Sequence, residues 1–535
     1  MKSRIAVCLA VVLVLMQSRT LQAGAQSQTW NLEDRVLISS GDLVLALAMG
    51  TREIYGATPT GIIVYDFTTG QWKAPLAPVE GYPAQDEVTA LAYDRVAGGL
   101  WAGTRAGDLY SYTPGFGRWE RNALGAQSEV LAMAADAASG AVYVATARQW
   151  LRLQTGSSFA EPVTPDDVPA EVRRILDRTR ERDPVLESLR GTLNLDADLN
   201  RWQITDAIPG ERNGEFWVAT AGGGIVHLAG QGLEREWLRF GLISTGTAAI
   251  AFDGRQLWFG GDGRGQRNGV TAGEPSLEHW WQFDAANDGA PRGFVAEILA
   301  DSQRVWFASS DGLFWLDRDG ESPVDASEWY AIDAREGLPS DEVTALVRVG
   351  ARLWVGTRRG IAAVDEAGDV EINFVGTPVH RLAARNDTVW VAGDDGLWII
   401  PRATSNLRRA DVGPAPGAQQ NSALTGRVSD VRAMPDAIYV LIGEALHMWT
   451  AEGWSAPIRD ASLDAIGPPL RMAGEDGVLW VAGGRGVAYR DAGSGAWRAF
   501  EIPGDIPIGP VLDVRPAGEF VWVATPAGAL RLRWR

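Results

Sequence analysis

One short phrase recurs along this 535-residue chain. It consists of an apolar residue, then Trp or Tyr, two small or apolar residues and, in most copies, Thr, Gly or Ser, as in residues 100–104 (LWAGT) and 142–146 (VYVAT). Nine of the ten steps between successive central aromatic residues are 36 to 49 residues long, and the tenth is 74. A period of this length indicates a protein built from repeated structural units, so eleven units are expected. The central aromatic residues are Tyr55, Trp101, Tyr143, Trp217, Trp258, Trp306, Trp354, Trp390, Tyr439, Trp480 and Trp522.

The sequence around each of these aromatic residues predicts β-strands. Upstream lies a segment of alternating residues, such as 343–347 (VTALV), and downstream lies a glycine-containing turn, such as Asp311-Gly312. Alternation with a period of two is typical of strands, and Asp-Gly pairs favour the turns between them. A further aromatic residue, such as Trp72 or Trp119, often marks a fourth segment. Four short antiparallel strands per unit predict an all-β fold, a β-propeller of about eleven four-stranded blades.

One copy of the repeat carries a resemblance to a known family. Residues 337–346 (GLPSDEVTAL), followed by 353–360 (LWVGTRRG), resemble the periplasmic sensor propeller repeat of two-component regulators. Ten looser copies extend the resemblance over nearly all of the chain after its first residues. The resemblance implies a propeller with a sensing role, and its matching residues are structural. Because residues 529–535 read as a strand, we expect the propeller portion of such a regulator without the kinase portion.

The number of blades predicts how they are grouped. Eleven blades exceed the four to eight of an ordinary propeller ring, so two rings are expected, of six units and then five. We place the first propeller at residues 26–322 and the second at 323–535, with Trp329 in the spare strand of the second ring. A single large ring is the alternative. Residues 27–32 read as a lone strand, so strands from both ends of the chain are expected to close the ring.

Two segments interrupt the repeat. Residues 164–200 form a predicted helical insertion, with apolar residues at helical spacing between 167 and 189 and a second short helix beginning at Asp183-Pro184. We place it between the third and fourth strands of the third blade, where it is either a lid or docking arm, or a rim element that covers an apolar patch. Residues 404–426 are rich in Pro, Ala, Gln, Asn and Ser and predict a flexible loop.

The first residues read as a secretory signal. Lys2 and Arg4 precede an apolar run at residues 5–16, and Ala23-Gly24-Ala25 offers small residues for cleavage, so we predict a signal peptide at residues 1–25. A retained membrane anchor is the alternative. The protein is therefore expected to be periplasmic or extracellular, with no membrane insertion after signal cleavage. Cys8 is the only cysteine, so disulfides and thiolate metal sites are not expected in the remaining chain.

Charge and motifs narrow the chemistry. The formal net charge of −18 disfavours nucleic acid and anionic membrane surfaces as partners. The four histidines, His227, His279, His380 and His447, stand alone in their units, and no ligand spacing, nucleophile motif or phosphate loop occurs. Residues 317–321 (DRDGE) resemble a calcium loop only loosely and fit a turn better. No catalytic residue, metal site or cofactor is predicted.

Ligands of propellers usually bind the face formed by the loops between the second and third strands and the loops between blades. The predicted function is an exported ligand- or protein-binding module for recognition, sensing or scaffolding, with a glycan, peptide or protein as ligand. The alternative is a propeller enzyme acting on polysaccharide, a lyase or glycosidase, which predicts histidines or acids converging at one ring mouth. Arginine is the preferred anchor because its planar guanidinium forms directional bonds. The candidate ligand-binding residues are Arg105, Arg264, Asp311, Arg358, Arg359, Asp394 and Arg485.

Overall fold

The computed structural model describes residues 30, 34–76, 82, 86–122, 128–154, 159–178, 196, 199–229, 234–264, 267–301, 303–318, 328–401, 406–409, 426–450, 453–507 and 509–535. Residues Asn31–Arg535 belong to one compact unit. The described residues form eleven four-stranded antiparallel sheets, which we call blades 1 to 11 in chain order. The predicted all-β fold of eleven four-stranded blades is therefore confirmed.

The first four blades follow a single strand, β1 (Arg35–Ile38). Their strands are β2 (Ala46–Met49), β3 (Glu53–Thr58), β4 (Gly61–Asp66) and β5 (Gln71–Lys73) in blade 1; β6 (Val88–Asp94), β7 (Gly99–Thr104), β8 (Leu109–Thr113) and β9 (Arg118–Asn122) in blade 2; β10 (Val130–Ala135), β11 (Val142–Thr146), β12 (Trp150–Leu153) and β13 (Ala160–Val163) in blade 3; and β14 (Ile204–Pro209), β15 (Phe216–Thr220), β16 (Ile225–Ala229) and β17 (Glu234–Leu238) in blade 4.

The next four blades follow in chain order. Their strands are β18 (Thr247–Phe252), β19 (Leu257–Gly261), β20 (Gly269–Gly273) and β21 (Trp280–Asp284) in blade 5; β22 (Val295–Ala300), β23 (Arg304–Ser309), β24 (Gly312–Asp317) and β25 (Trp329–Ile332) in blade 6; β26 (Val343–Val349), β27 (Arg352–Thr357), β28 (Gly360–Val364) and β29 (Val370–Val375) in blade 7; and β30 (Val379–Arg385), β31 (Thr388–Gly393), β32 (Gly396–Pro401) and β33 (Arg408–Arg409) in blade 8.

The last three blades complete the chain. Their strands are β34 (Val428–Ala433), β35 (Ile438–Ile442), β36 (Ala445–Thr450) and β37 (Gly453–Trp454) in blade 9; β38 (Pro469–Glu475), β39 (Val478–Gly483), β40 (Gly486–Arg490) and β41 (Trp497–Glu501) in blade 10; and β42 (Asp513–Ala517), β43 (Phe520–Thr525) and β44 (Gly528–Arg533) in blade 11, whose fourth strand is β1. The described helices are a 3₁₀ turn (Pro165–Asp167), α1 (Ala170–Arg178) and α2 (Ala461–Ala465).

The recurring phrase forms the second strand of every blade. Its aromatic residue packs in the core, and Trp258, Trp480 and Trp522 are almost completely buried. Its terminal threonine closes the turn to the third strand, since the hydroxyl of Thr357 donates to the carbonyl oxygen of Gly360 at 3.0 Å. Gly360 has a φ of 145°, a backbone conformation that favours glycine. The phrase therefore encodes packing between blades and one turn.

Strands from both ends of the chain complete blade 11. Strand β1 pairs antiparallel with β44, with Arg35 opposite Leu532 and Ile38 opposite Ala529. This pairing removes the free edge of β44, as expected from the sequence. The closing strand lies at residues 35–38 instead of 27–32, and residues 27–29 and 31–33 lie outside the described residues.

Blades 5 to 11 form a closed ring of seven. Their inner strands contact one another in sequence, and β18 of blade 5 also contacts β42 of blade 11. The predicted boundary at residues 322 and 323 lies inside this ring, because the inner strands of blades 6 and 7 are in contact. Trp329 lies in β25, which pairs with β24 as the fourth strand of blade 6 and is not a spare strand of a second ring.

Blades 1 to 4 are inserted into the chain between β1 and blade 5 of this ring. Blade 1 contacts blades 2 and 4 through its inner strand, and blade 2 contacts blade 3. The two connections to the ring run side by side, because the N–H of Gly41 donates to the carbonyl of Phe240 and that of Leu242 donates to the carbonyl of Ser39, both at 3.1 Å. The structure thus divides its blades into four and seven, where the sequence predicted six and five.

The helical insertion follows β13, the fourth strand of blade 3, and so differs from its predicted place between the third and fourth strands. Val172 and Leu176 of α1 are buried against Tyr143 and Trp150 of blade 3. The opposite face of this blade, which includes Met133, packs against blade 2. Helix α1 therefore covers a face that a neighbouring blade would otherwise cover. The predicted second helix at 183–189 lies outside the described residues, as do 404–405 and 410–425 of the predicted loop.

Candidate ligand-binding site

Bulges in the inner strands direct side chains toward one end of the seven-bladed ring. In blades 6 to 10 the register between the first and second strands shifts near the start of the inner strand, so that one residue is left unpaired. A bulge bends its strand and changes the direction of the side chain. All five unpaired residues line one cavity. They are Ala296, Thr344, His380, Ser429 and Leu470.

This cavity, which we call the mouth cavity, has a volume of about 510 Å³. Phe294 and Leu470 contribute apolar surface and are 44% and 46% exposed, respectively. Charged side chains share the same wall. Apart from the five bulge residues, the lining consists of Phe294, Ser310, Glu342, Val343, Arg358, Arg381, Arg427, Arg471, Val511 and Leu512. The cavity therefore combines exposed apolar side chains with several arginines.

A narrower cavity, which we call the channel, lies between the inner strands and shares Arg381 and Arg471 with the mouth cavity. Its charged residues come from blades 6, 8, 9, 10 and 11. They are Glu297, Arg381, Asp430, Arg432, Arg471, Asp513 and Arg515.

The carboxylates of the channel connect neighbouring blades. Asp430 accepts the N–H of Val431 at 2.7 Å with Oδ1 and that of Met472 in blade 10 at 2.6 Å with Oδ2. Glu297 likewise accepts the N–H of Leu346 in the next blade at 2.9 Å. Burial raises the pKa of Asp430 to about 6, although the charges of nearby arginines act in the opposite direction. These carboxylates thus have a structural role.

The arginines of the channel differ in their partners. Arg381 donates to the carbonyl oxygens of Thr344 at 2.6 Å and of Ala296 at 3.3 Å, and its Nη1 lies 4.0 Å from Glu297 Oε2. Among the described residues, the guanidinium of Arg471 makes no hydrogen bond or ion pair. Burial, followed by the like charge of Arg381, lowers the pKa of Arg471 to about 10.

Ion pairs surround the mouth cavity. Arg358 pairs with Glu342 at 2.8 Å, between two loops. Asp394 Oδ1 lies 2.7 Å from His380 Nε2 and 3.5 Å from Arg427 Nε. Burial is the main cause that lowers the pKa of His380, while the hydrogen bond from His380 lowers that of Asp394. The charges of the rim are therefore largely paired with one another.

The structure brings some of the predicted site residues to this cavity. Arg358 lines it, Asp394 contacts its His380, and Asp311 follows Ser310 of its lining. Arg359 is an exposed neighbour of Arg358 in the same turn. The prediction that these residues bind a ligand remains a proposal.

Three other predicted site residues do not line the mouth cavity. Arg105 belongs to blade 2 and pairs with Glu87 at 2.6 Å. Arg264 is exposed in blade 5, with its Nε 4.0 Å from a carboxylate oxygen of Asp262. Arg485 lines a different cavity and donates to the carbonyl oxygen of Asp464 at 3.0 Å.

Sequence reasoning missed the arginines of the inner strands. Arg381 and Arg471 both occupy the position that follows the bulge, as do Glu297 and Asp430. Aligning the repeats on the valine that begins most inner strands would have placed these charged residues at one level of the ring. Arg427, which precedes β34, was also missed.

The remaining histidines pair with acids or lie in strands. His227 Nε2 is 2.8 Å from Glu215 Oε1, and its ring stacks on Trp217. Glu274, Glu278 and His279 offer donor atoms within 4.8 Å of one another in the turn before β21, a cluster that sequence spacing did not predict. Of the calcium-like segment, Asp317 pairs with Arg304 at 2.5 Å and residues 319–321 lie outside the described residues.

The eleven four-stranded sheets, seven of them closed around a channel, define a β-propeller protein. No helix among the described residues has both the length and the apolar character needed to span a membrane. No protein-family model matches the chain, and no curated protein matches it.

Several solved structures are similar to the chain at low sequence identity. One is the extracellular domain of the hybrid two component system BT4673 from B. thetaiotaomicron, with 12% identity and a TM-score of 0.41 over 91% of this chain and 70% of that one. The Pan2 WD40 domain of Neurospora crassa has 12% identity and a TM-score of 0.40 over 54% and 88%. YCF48 bound to D1 peptide has 12% identity and a TM-score of 0.42 over 55% and 95%. These similarities concern the fold only.

Proposed function

We propose that the protein is a recognition module that binds a peptide or protein segment in the mouth cavity. The observation that carries this proposal is that exposed Phe294 and Leu470 line the same cavity as Arg358, Arg381 and Arg471. Sites for ligands combine apolar walls with a few polar groups that fix orientation. An extended peptide offers both kinds of surface, which supports a peptide over a glycan as the ligand.

The hydrogen bonds that the channel and rim carboxylates make support a binding role over catalysis on polysaccharide. A glycosidase needs two carboxyl groups free to act on the substrate, one as an acid and one as a base or nucleophile. Here Asp430 and Glu297 accept backbone N–H groups of the next blade, and Asp394 pairs with His380. These acids hold the ring and its rim together.

We propose further that the module is exported to the periplasm or beyond the cell and serves in sensing or scaffolding. The basic start, apolar run and small residues of the first 25 positions support export. The resemblance of residues 337–346 to the sensor propeller repeat of two-component regulators supports sensing. Fractionation of bacteria that express the whole chain, followed by N-terminal sequencing, tests export. A product found only in the cytoplasm would contradict it.

Arrays of peptides and glycans, probed with the purified protein, test the proposed ligand class. We expect peptides with apolar side chains to be retained, and Phe294→Asp and Leu470→Asp each to weaken their binding at least tenfold because both changes place charge on the apolar wall. Phe116→Asp is the control, because Phe116 is also exposed but lies in blade 2. The proposal would be overturned if only glycans were retained, or if both mouth variants bound peptides as tightly as the original protein does.

A further inference from the structure

Arg471 lies at a distinctive place in the ring. It follows the bulge residue Leu470 in β38 and lines both the mouth cavity and the channel. Within the part of the chain that the structure describes, its guanidinium has no hydrogen-bond acceptor and no ion-pair partner. Arg471 is partly buried, and a guanidinium carries five N–H donors that need acceptors. A ligand that supplies acceptors at this point would therefore be stabilised.

The nearby acids are already bonded elsewhere. Asp430 accepts two backbone N–H groups, and Asp513 Oδ2 accepts the N–H of Ile250 at 3.2 Å. Arg381 adds a second positive charge that lowers the pKa of Arg471, whereas the charges of Asp430, Asp513 and Glu297 act on that pKa in the opposite direction. Two guanidinium groups thus share a partly desolvated position, and the acids around them are bonded to backbone N–H groups.

We propose that Arg471, with Arg381 beside it, is the anchor of a carboxylate-binding position at the base of the mouth cavity, and that it takes the C-terminal carboxylate of a bound peptide. This inference rests on the proposed function, since it names the ligand group that the mouth cavity recognises. Carboxylates accept two parallel N–H bonds from one guanidinium. Leu470, Val511 and Leu512 line the same cavity, so an apolar side chain next to the carboxylate has a wall to contact.

The apolar wall favours a chain terminus over an acidic side chain. At a C-terminus the carboxylate and an apolar side chain share one Cα atom, so both reach the guanidinium and the wall together. An Asp or Glu side chain would place its own polar backbone at the wall. The other mouth arginines, Arg358 and Arg427, already have carboxylate partners in Glu342 and Asp394.

Three small probes separate these sources of carboxylate. N-acetyl-leucine carries the free carboxylate and the apolar side chain, N-acetyl-leucinamide lacks the carboxylate, and N-acetyl-glutamic acid α-amide carries the carboxylate on a side chain. In ligand-observed NMR titrations of the whole protein, we expect N-acetyl-leucine to bind at least tenfold more tightly than either of the others. Equal binding of N-acetyl-leucine and its amide would overturn the inference.

Variants of Arg471 assign the effect to this residue. We expect Arg471→Gln to weaken binding of N-acetyl-leucine at least tenfold, while Arg485→Gln, which alters an arginine of a different cavity, leaves binding unchanged. Arg471→Met removes every N–H donor of the side chain and should weaken binding of N-acetyl-leucine at least as much. A lower unfolding temperature combined with unchanged probe binding would show a purely structural role and overturn the inference.

The two proposals can fail separately. If array peptides bind through Phe294 and Leu470 but tolerate C-terminal amidation, the carboxylate position fails and the proposed function stands. If N-acetyl-leucine binds through Arg471 but none of the array peptides binds, the proposed function fails, and Arg471 is an anchor for small carboxylates and not for a peptide terminus.

Discussion

The carboxylate of Asp430 in blade 9 accepts a hydrogen bond of 2.6 Å from the backbone N–H of Met472 in blade 10. Three other acids of the inner strands do the same between other neighbouring blades. These pairs are Glu297 with Leu346 at 2.9 Å, Asp513 with Ile250 at 3.2 Å and Asp206 with Leu47 at 2.8 Å. An acidic residue at this level of the inner strand therefore links neighbouring blades in both groups.

The first prediction concerns the pH dependence that Asp430 gives to stability. Burial raises its pKa to about 6 against 3.8 for an ordinary Asp, opposed by Arg381 and Arg471 and assisted by Glu297. Because the folded protein holds this proton more tightly than the unfolded chain, the stabilisation is complete below about pH 4 and is lost as the pH rises through about 6. Asp430→Asn removes this titration. The unfolding free energy of this variant minus that of the original protein should increase by on the order of 2 to 3 kcal/mol between about pH 4 and pH 7.

Urea denaturation at a series of pH values between these limits measures this difference. Asp166→Asn is the matched control, because the Asp166 side chain is 97% exposed, and its difference from the original protein should stay constant with pH. If the difference in unfolding free energy between Asp430→Asn and the original protein were also constant with pH, the pKa of Asp430 would not be raised in the folded protein.

The second prediction concerns the buried arginine between the two groups of blades. Arg267 of blade 5 pairs with Asp284 at 3.0 Å and with Asp42, in the connection to blade 1, at 3.2 Å. Arg267→Ala leaves two buried carboxylates without their cation, so we expect a loss of about 3 to 5 kcal/mol of unfolding free energy. Arg264→Ala, in the same loop but exposed, should change stability by less than about 0.5 kcal/mol. Similar losses for both variants, measured by chemical denaturation, would refute the role of Arg267.

The third prediction concerns helix α1. Val172 is buried against blade 3, whereas Ile175 on the same helix is exposed. Val172→Asp places an unpaired charge on that face, so we expect a loss of on the order of 2 to 4 kcal/mol and, by gel filtration, more self-association through the uncovered face of the blade. Ile175→Asp should leave both stability and elution volume as they are. If the two variants behave alike, α1 does not cover blade 3.

The sequence predicts the features that depend on local interactions but not those that depend on contacts between distant residues. Each blade is coded locally, by the aromatic residue, the threonine and the glycine of one phrase, and all eleven blades were found. The grouping into four and seven depends on contacts such as that of Arg515 with the carbonyl of Ile250, which join residues 265 positions apart. Blades on either side of such a contact have the same period, so spacing could not show where the ring closes.

The site was predicted only in part for a related reason. Arg358 and Asp394 lie in turns, where a charged residue stands out from a repeating pattern. Arg381 and Arg471 lie inside strands, and each of them directly follows a bulge. A one-residue shift of register is invisible to the alternation that identifies a strand.

The fourth prediction concerns the closing strand. Ile38 of β1 is completely buried and lies opposite Ala529 of β44. Ile38→Ala leaves a cavity and weakens the one strand that comes from the other end of the chain, so we expect a loss of about 2 to 5 kcal/mol. Because this strand covers the edge of blade 11, amide exchange in β44 should accelerate more than exchange in β31 of blade 8, on the far side of the ring. Val96→Ala, at a position 58% exposed, should alter neither quantity. If amide exchange accelerated equally in β44 and β31, the ring would unfold as a whole, and blade 11 would not open first.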